Sequence, residues 1–437
     1  MRFFCAVLFI VALSSNGFAQ EAPSPIERIN SFFNGLNLQT HGSLKNETAA
    51  RIRTPKEFTK LRNQLILAES GKLSENTTFK VSGRFWYDAV YDGTDNYPEN
   101  VESDQEYLYE LRDTYLDYSN GPFDVRLGKQ QIVWGEAVGL FFADVVNAKD
   151  LREFVLPDFD MIRIPDWGMD LEYGKDNFHA EFIWLPAPQF NKYGVIGSEF
   201  AYPFPLPPNT SFTYVDPLEP KDSFNNGEAG VRLSYLINGW DVSGFYLYTW
   251  DKTPVMYRTI NANVFDFHPG YKRLNIIGTT FSKELSDAVV KGEFVYNHKG
   301  NFSLFDANDS DGIIRRDFLE YVLGVDYTFF GKIDTNLQFM QRVIFGYDKR
   351  IVNERHVRNA VSLRIDKGFL NNALDAEFFI IAGLETLDLM CRPRLTYTFQ
   401  NNWKFRVGLD IFDGRASGIF GKFDRKSRAY AELTYSF

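Results

Sequence analysis

Apolar and polar residues alternate along nearly the whole chain after its first few dozen positions. Trp403, Phe405, Val407, Leu409 and Ile411 interleave with Lys404, Arg406, Gly408 and Asp410. Leu319, Tyr321, Leu323, Val325, Tyr327 and Phe329 interleave with Glu320, Val322, Gly324, Asp326 and Thr328. The same period of two marks 228–237, 361–366 and 427–437. Successive side chains of a strand point to opposite faces, so each run predicts a strand with one apolar and one polar face. Each run is about ten residues long, the length a tilted strand needs to cross a hydrocarbon layer.

The connections fall into two kinds that take turns along the chain. Short ones sit at 71–74, 120–122, 174–177, 237–239, 285–288, 330–332, 368–372 and 400–402 and carry the Gly, Asn and Asp of tight hairpins. Long ones run over 92–106, 135–166, 187–224, 251–269, 299–317, 347–356 and 412–426, with shorter members at 52–58 and 385–390. Strict short–long alternation predicts an all-β, transmembrane, antiparallel up-and-down β-barrel with short periplasmic turns and long outer loops. The strands number about eighteen, or about sixteen if the weak pair near 36–51 and 59–70 is miscounted.

The chain ends agree with this. MRFFCAVLFIVALSSNGFAQ is a short apolar run behind Arg2 that closes in small residues at Gly17 and Ala19. It predicts a signal peptide over 1–19, cleaved after Ala19, and a periplasmic segment over 20–35 before the barrel at 36–437. At the other end, Ala429, Ala431, Leu433, Tyr435 and Phe437 share one face. A strand that stops on a terminal Phe resembles the C-terminal signal of Gram-negative outer-membrane barrels. The expected location is therefore the outer membrane. The expected partners are its lipid and lipopolysaccharide, and the barrel assembly machinery through the Phe437 strand. Aromatic residues make up 16 % of the chain, which suits the girdles of such a barrel. Once Cys5 leaves with the signal, only Cys391 remains, so no disulfide framework holds the chain.

With the apolar face toward lipid, the other face lines a lumen. Its candidates for solute contact are Arg126, Lys129, Trp134, Glu136, Arg232, Arg342, Arg364, Arg392, Arg394 and Arg406. Arginine on such a wall forms bidentate contacts with carboxylate or phosphate, and rings of charge set pore selectivity. Carboxylates stand on the same face, among them Glu228, Glu320, Glu377, Asp410 and Glu432. The competing reading is an Arg–carboxylate network that stiffens the wall. The net charge of -10 disfavours a nucleic-acid partner. Five histidines show no paired metal spacing and no G-x-S-x-G occurs, so no enzyme, metal or cofactor is expected. The oxygen-rich turn at 306–312 lacks the glycine and terminal glutamate of an EF-hand and reads as a solvated acidic turn.

The stretch RLGKQQIVWGEA (126–137) and the following FFADVVNAKDLREF carry Gly128-Lys129-Gln130, Trp134-Gly135-Glu136 and Asn147-Ala-Lys-Asp150-Leu151-Arg152. This resembles a family of proteobacterial outer-membrane barrels known only as a domain of unknown function, with a G-[RK]-Q…W-G-E pattern and an N-P-x-D-L-R-like turn. The second motif matches more loosely, with alanine at the proline place. The first is distantly similar to that of alginate-export porins, eighteen-stranded barrels that pass an anionic polysaccharide. The resemblance implies a porin-like channel for a solute or polymer, an anionic one included. A plugged, non-conducting barrel that serves an inner-membrane exporter is the alternative, and an outer-membrane hydrolase a minor one. The strand is expected to reach Gly135 at its outer end. The segment 136–166, apolar and charged without period, is expected to fold inward against the wall.

Overall fold

A computed structural model describes residues 37–135, 142–201, 211–261, 264–304, 306, 309, 311–400 and 402–437. The expected signal peptide, the segment 20–35 and Glu136 lie outside the described residues. Eighteen strands form one closed antiparallel sheet. They are β1 (Gln39–Arg51), β2 (Phe58–Ser74), β3 (Thr77–Asp88), β4 (Tyr107–Asn120), β5 (Phe123–Gln130), β6 (Asp166–Lys175), β7 (Phe178–Ala187), β8 (Glu228–Ile237) and β9 (Trp240–Trp250). The second half holds β10 (Arg273–Leu285), β11 (Ala288–Ser303), β12 (Ile313–Phe329), β13 (Ile333–Ile344), β14 (Val357–Phe369), β15 (Leu374–Gly383), β16 (Asp388–Phe399), β17 (Trp403–Gly414) and β18 (Arg428–Ser436). Each pairs with its sequence neighbours, and β18 closes on β1 with Glu432 opposite Glu47 and Tyr435 opposite Leu44. Closure removes every sheet edge, which hydrocarbon would otherwise leave without hydrogen-bond partners. The terminal Phe437 joins the seam: its N–H donates to the Gly42 carbonyl at 3.0 Å and its carbonyl accepts from the Gly42 N–H at 2.9 Å.

The period of two sorts the faces. Leu233, Tyr235, Leu323, Val325, Phe405, Val407 and Leu433 are exposed on the outside, where lipid would cover them. Glu228, Glu320, Glu377, Asp410 and Arg428 are buried on the inside. The short and long connections alternate around the sheet. The first hairpin is displaced from its sequence position: β2 continues through 71–74 and the turn falls at 75–76.

The described parts of the third outer connection, 131–135 and 142–165, leave the wall. β5 stops at Gln130, short of Gly135 where alternation placed its end. Gly128 has φ +140°, and a Cβ there would lie 2.3 Å from the Thr114 carbonyl oxygen, so the strand bends where only glycine fits. Beyond Gln130 the backbone turns to Asn147, whose side chain is buried and ties the neck of the segment. Its Oδ1 accepts the Ile132 N–H at 2.6 Å, and its Nδ2 donates to the Gln130 and Ile164 carbonyls at 3.3 and 3.0 Å.

From this neck the segment touches distant parts of the wall. The Phe142 and Ala143 N–H groups donate to Glu293 on β11. Glu153 meets Lys60 and Arg62 on β2, and the Leu156 carbonyl accepts from Arg392 on β16. One segment can reach β2, β11 and β16 together only from within the barrel. Two apolar clusters fasten it there. Ile132, Trp134, Ala143 and Val146 pack on Ile183, Leu185, Phe245, Leu247 and Ile276. Phe154 and Leu156 pack on Val322, Met340, Ile381, Met390 and Phe412, together with Phe200, Phe420 and Phe423 from other connections. Phe154 lies 5.9, 6.0 and 5.0 Å from the ring centres of Phe412, Phe420 and Phe423. Much of the outer half of the lumen is thus packed like a protein core.

Candidate functional site

Beneath the apolar packing lies a charged cavity of about 60 Å³, lined by β1–β3, by β16–β18 and by the inward segment. Its volume admits a few water molecules. Nine cations and five carboxylates line it. The strand register explains the density. Arg406, Glu432, Glu47, Arg62 and Asp88 are successive cross-strand partners across five strands. Glu432 beside Glu47 is a like-charge pair, which is unfavourable unless compensated. Compensation comes from Lys45, 3.4 Å from Glu47 and 4.0 Å from Glu432, and from Lys60, 2.8 Å from Glu47.

Three arginines hold the inward segment by its backbone. Arg392 Nη2 donates to the Leu156 carbonyl at 2.7 Å, Arg84 Nη1 to Met161 at 3.2 Å and Arg112 Nη2 to Asp160 at 2.6 Å. The segment answers with charge. Glu153 bridges Lys60 and Arg62, two buried cations. Burial alone would raise the Glu153 pKa, yet Arg62, Lys60 and Arg428 together hold it well below the ordinary carboxylate range. Arg152 pairs with Asp150 at 2.9 and 2.7 Å. The guanidinia of Arg62, Arg84 and Arg152 stand 4.2, 4.9 and 5.8 Å from the Trp86 ring centre, a cation–π arrangement on a buried indole.

The ten sequence candidates separate. Arg392, Arg394 and Arg406 meet at the cavity. Arg364 stands beside them, sharing Glu377 with Arg394 at 2.8 and 2.7 Å. The other wall cations lie elsewhere. Arg126 is held by Asp117 at 2.6 and 3.1 Å in a separate recess with Asp170. Lys129 pairs in register with Thr114 and Trp167. Arg232 lines a recess near the turn at 176–177, and Arg342 pairs with Glu320 and Glu354. Trp134 offers no open ring face: it is 1 % exposed, donates its indole N–H to Glu181 at 2.8 Å and packs 5.2 Å from Phe245. Trp134→Ala should cost about 3–5 kcal/mol of packing. We expect a lower midpoint of thermal unfolding; an unchanged midpoint would show that the ring contributes no packing.

The sequence candidates omitted Lys45, Lys60, Arg62, Arg84 and Trp86. A signal was present, because Lys60, Arg62 and Gln64 alternate as Arg392 and Arg394 do. Nearly every wall arginine named here has a carboxylate partner. Among the described residues no cluster of three metal-ligating side chains occurs.

The fold resembles that of outer-membrane porins. OccAB1 of Acinetobacter baumannii superposes with a TM-score of 0.56 at 10 % identity, covering 92 % of this chain and 96 % of that one. OccAB4 of the same organism gives 0.53 at 12 %, with 92 % and 98 % covered. OpdK of Pseudomonas aeruginosa, solved with vanillate, gives 0.53 at 10 %, again with 92 % and 98 % covered. At these identities the likeness is one of fold. The model of a family described as "Protein of unknown function (DUF1302)" matches residues 59–352. No curated protein matches the sequence.

Proposed function

The chain belongs to the DUF1302 family, and from that premise we propose that it is a gated, porin-like outer-membrane channel that favours anionic solutes. The cavity lining carries the proposal: nine cations against five carboxylates at the level where the inward segment narrows the lumen. A charged lining of one dominant sign draws counter-ions inward and rejects co-ions. Arg394 and Arg406 would contact the solute, and the segment 142–165 would set the aperture. The expected signal cleavage after Ala19 and hand-over of the Phe437 strand to the assembly machinery belong to this reading. The looser likeness to alginate-export porins is the reason to include an anionic polymer among the cargoes, and the vanillate of the OpdK structure a reason to include small carboxylates.

The aromatic packing around Phe154 favours a second reading, a plugged barrel that docks an exporter. Liposome swelling separates the two. With purified protein, a sugar acid should enter faster than a neutral sugar of equal size. Entry of both at the rate of protein-free liposomes would favour the plugged barrel and sink the channel.

A further inference from the structure

We propose that Asp158 is a tethered carboxylate lodged in a carboxylate-binding site built by Lys45, Arg394 and Arg406, so that solute and protein compete for the same guanidinia. The inference rests on the anion-channel reading and names its binding site and ligand class.

Four observations carry it. Asp158 occupies the N-cap of the short helix Phe159–Ile162, where an aspartate normally accepts a helix N–H, yet its side chain makes no cap bond. Its two oxygens face two guanidinia instead: Oδ1 lies 3.8 Å from Arg394 Nη1 and Oδ2 3.7 Å from Arg406 Nη1. Lys45 lies within electrostatic range of the same carboxylate. Finally, Asp158 is held loosely. Its side chain is 54 % exposed, while Glu47 and Glu432 beside it are 8 and 13 % exposed.

The contrast between side chain and backbone sharpens the point. The carbonyls of Leu156, Asp160 and Met161 around it are pinned by Arg392, Arg112 and Arg84. The backbone therefore presents the carboxylate, while its own pairs are longer than a hydrogen bond. Arg394 and Arg406 keep shorter partners in Glu377 at 2.7 Å and Glu432 at 3.1 Å, so both stay in place when Asp158 swings away. A solute carboxylate arriving at these donors would replace Asp158 one for one, with no change in local charge. Two charge-assisted contacts at once should favour a planar, two-oxygen carboxylate over a halide.

The test is calorimetric titration of purified, detergent-solubilised full-length barrel with sodium butyrate, using butyramide as the uncharged control. Asp158→Asn should bind butyrate about two- to five-fold tighter than wild type, the range set by losing an exposed ion pair. Butyramide should not respond, and adding Arg406→Gln to Asp158→Asn should abolish the gain. Equal or weaker butyrate binding by Asp158→Asn, or an equal gain for butyramide, would overturn the inference. If Asp158→Asn misfolds, chloride currents through wild type decide: butyrate should inhibit them in competition with chloride, and no inhibition overturns the proposal. Tighter butyrate binding in a barrel that admits no solute would sink the channel reading alone. Solute entry without that gain would sink only the role of Asp158.

Discussion

Glu153→Gln is expected to open the lumen. Glu153 is shared by Lys60 and Arg62, and its loss strips each of a partner while both stay buried. Leaving a buried charge wholly unmatched costs about 3–5 kcal/mol; Lys60 keeps Glu47 at 2.8 Å and Arg62 keeps Asp88 at 3.1 Å, so the cost here falls below that range. The barrel ladder does not depend on this contact, so the cost falls on the docked position of the inward segment. Single-channel conductance should rise at least about two-fold over wild type as the aperture widens. Unchanged conductance in a correctly folded variant would show that the segment stays docked without it.

The same residue sets a pH expectation. The folded-state pKa of Glu153 lies below its ordinary value near 4.5. Its contribution is therefore fully present above that value and is lost only as pH falls through the depressed one. Wild-type conductance should hold steady through the ordinary carboxylate range and rise only in stronger acid. A rise already at the ordinary value would mean that Glu153 is not the charged anchor.

The second large effect concerns selectivity. Arg394→Gln combined with Arg406→Gln removes two lining cations and leaves Glu377 and Glu432 with fewer counter-charges. Arg392 is best left in place, since it also holds Asp410 at 2.8 Å and the Leu156 carbonyl. The chloride-to-potassium permeability ratio of the double variant should fall about ten-fold, as expected for charge removed at a narrow level. A ratio within error of wild type would assign these arginines to wall stiffening alone.

The barrel was legible because period two is a local property. Val231, Leu233 and Tyr235 declare their face within one strand, whatever lies across the sheet. The inward segment obeys no such rule. Phe154 and Leu156 meet protein while Glu153 meets buried cations, so neither lipid nor water imposes a repeat. Its Glu153 anchor joins residues 93 positions apart and its Leu156 anchor residues 236 apart, and no spacing rule links Glu153 to Lys60. Trp134 shows the same limit from the other side. An aromatic residue beyond a strand end faces either lumen or core, and the contact with Phe245 that decides between them is non-local. Asn147, within the N-A-K-D-L-R stretch, could be singled out as a motif residue, but its role in closing the neck needs Gln130 and Ile164 brought beside it.

The reversal potential of wild-type channels in a planar bilayer under a potassium chloride gradient tests the central claim most directly. A channel narrowed at a lining of nine cations and five carboxylates predicts small, steady openings whose potential lies on the chloride side. A potential at zero or on the potassium side, or a bilayer that stays silent, would contradict it.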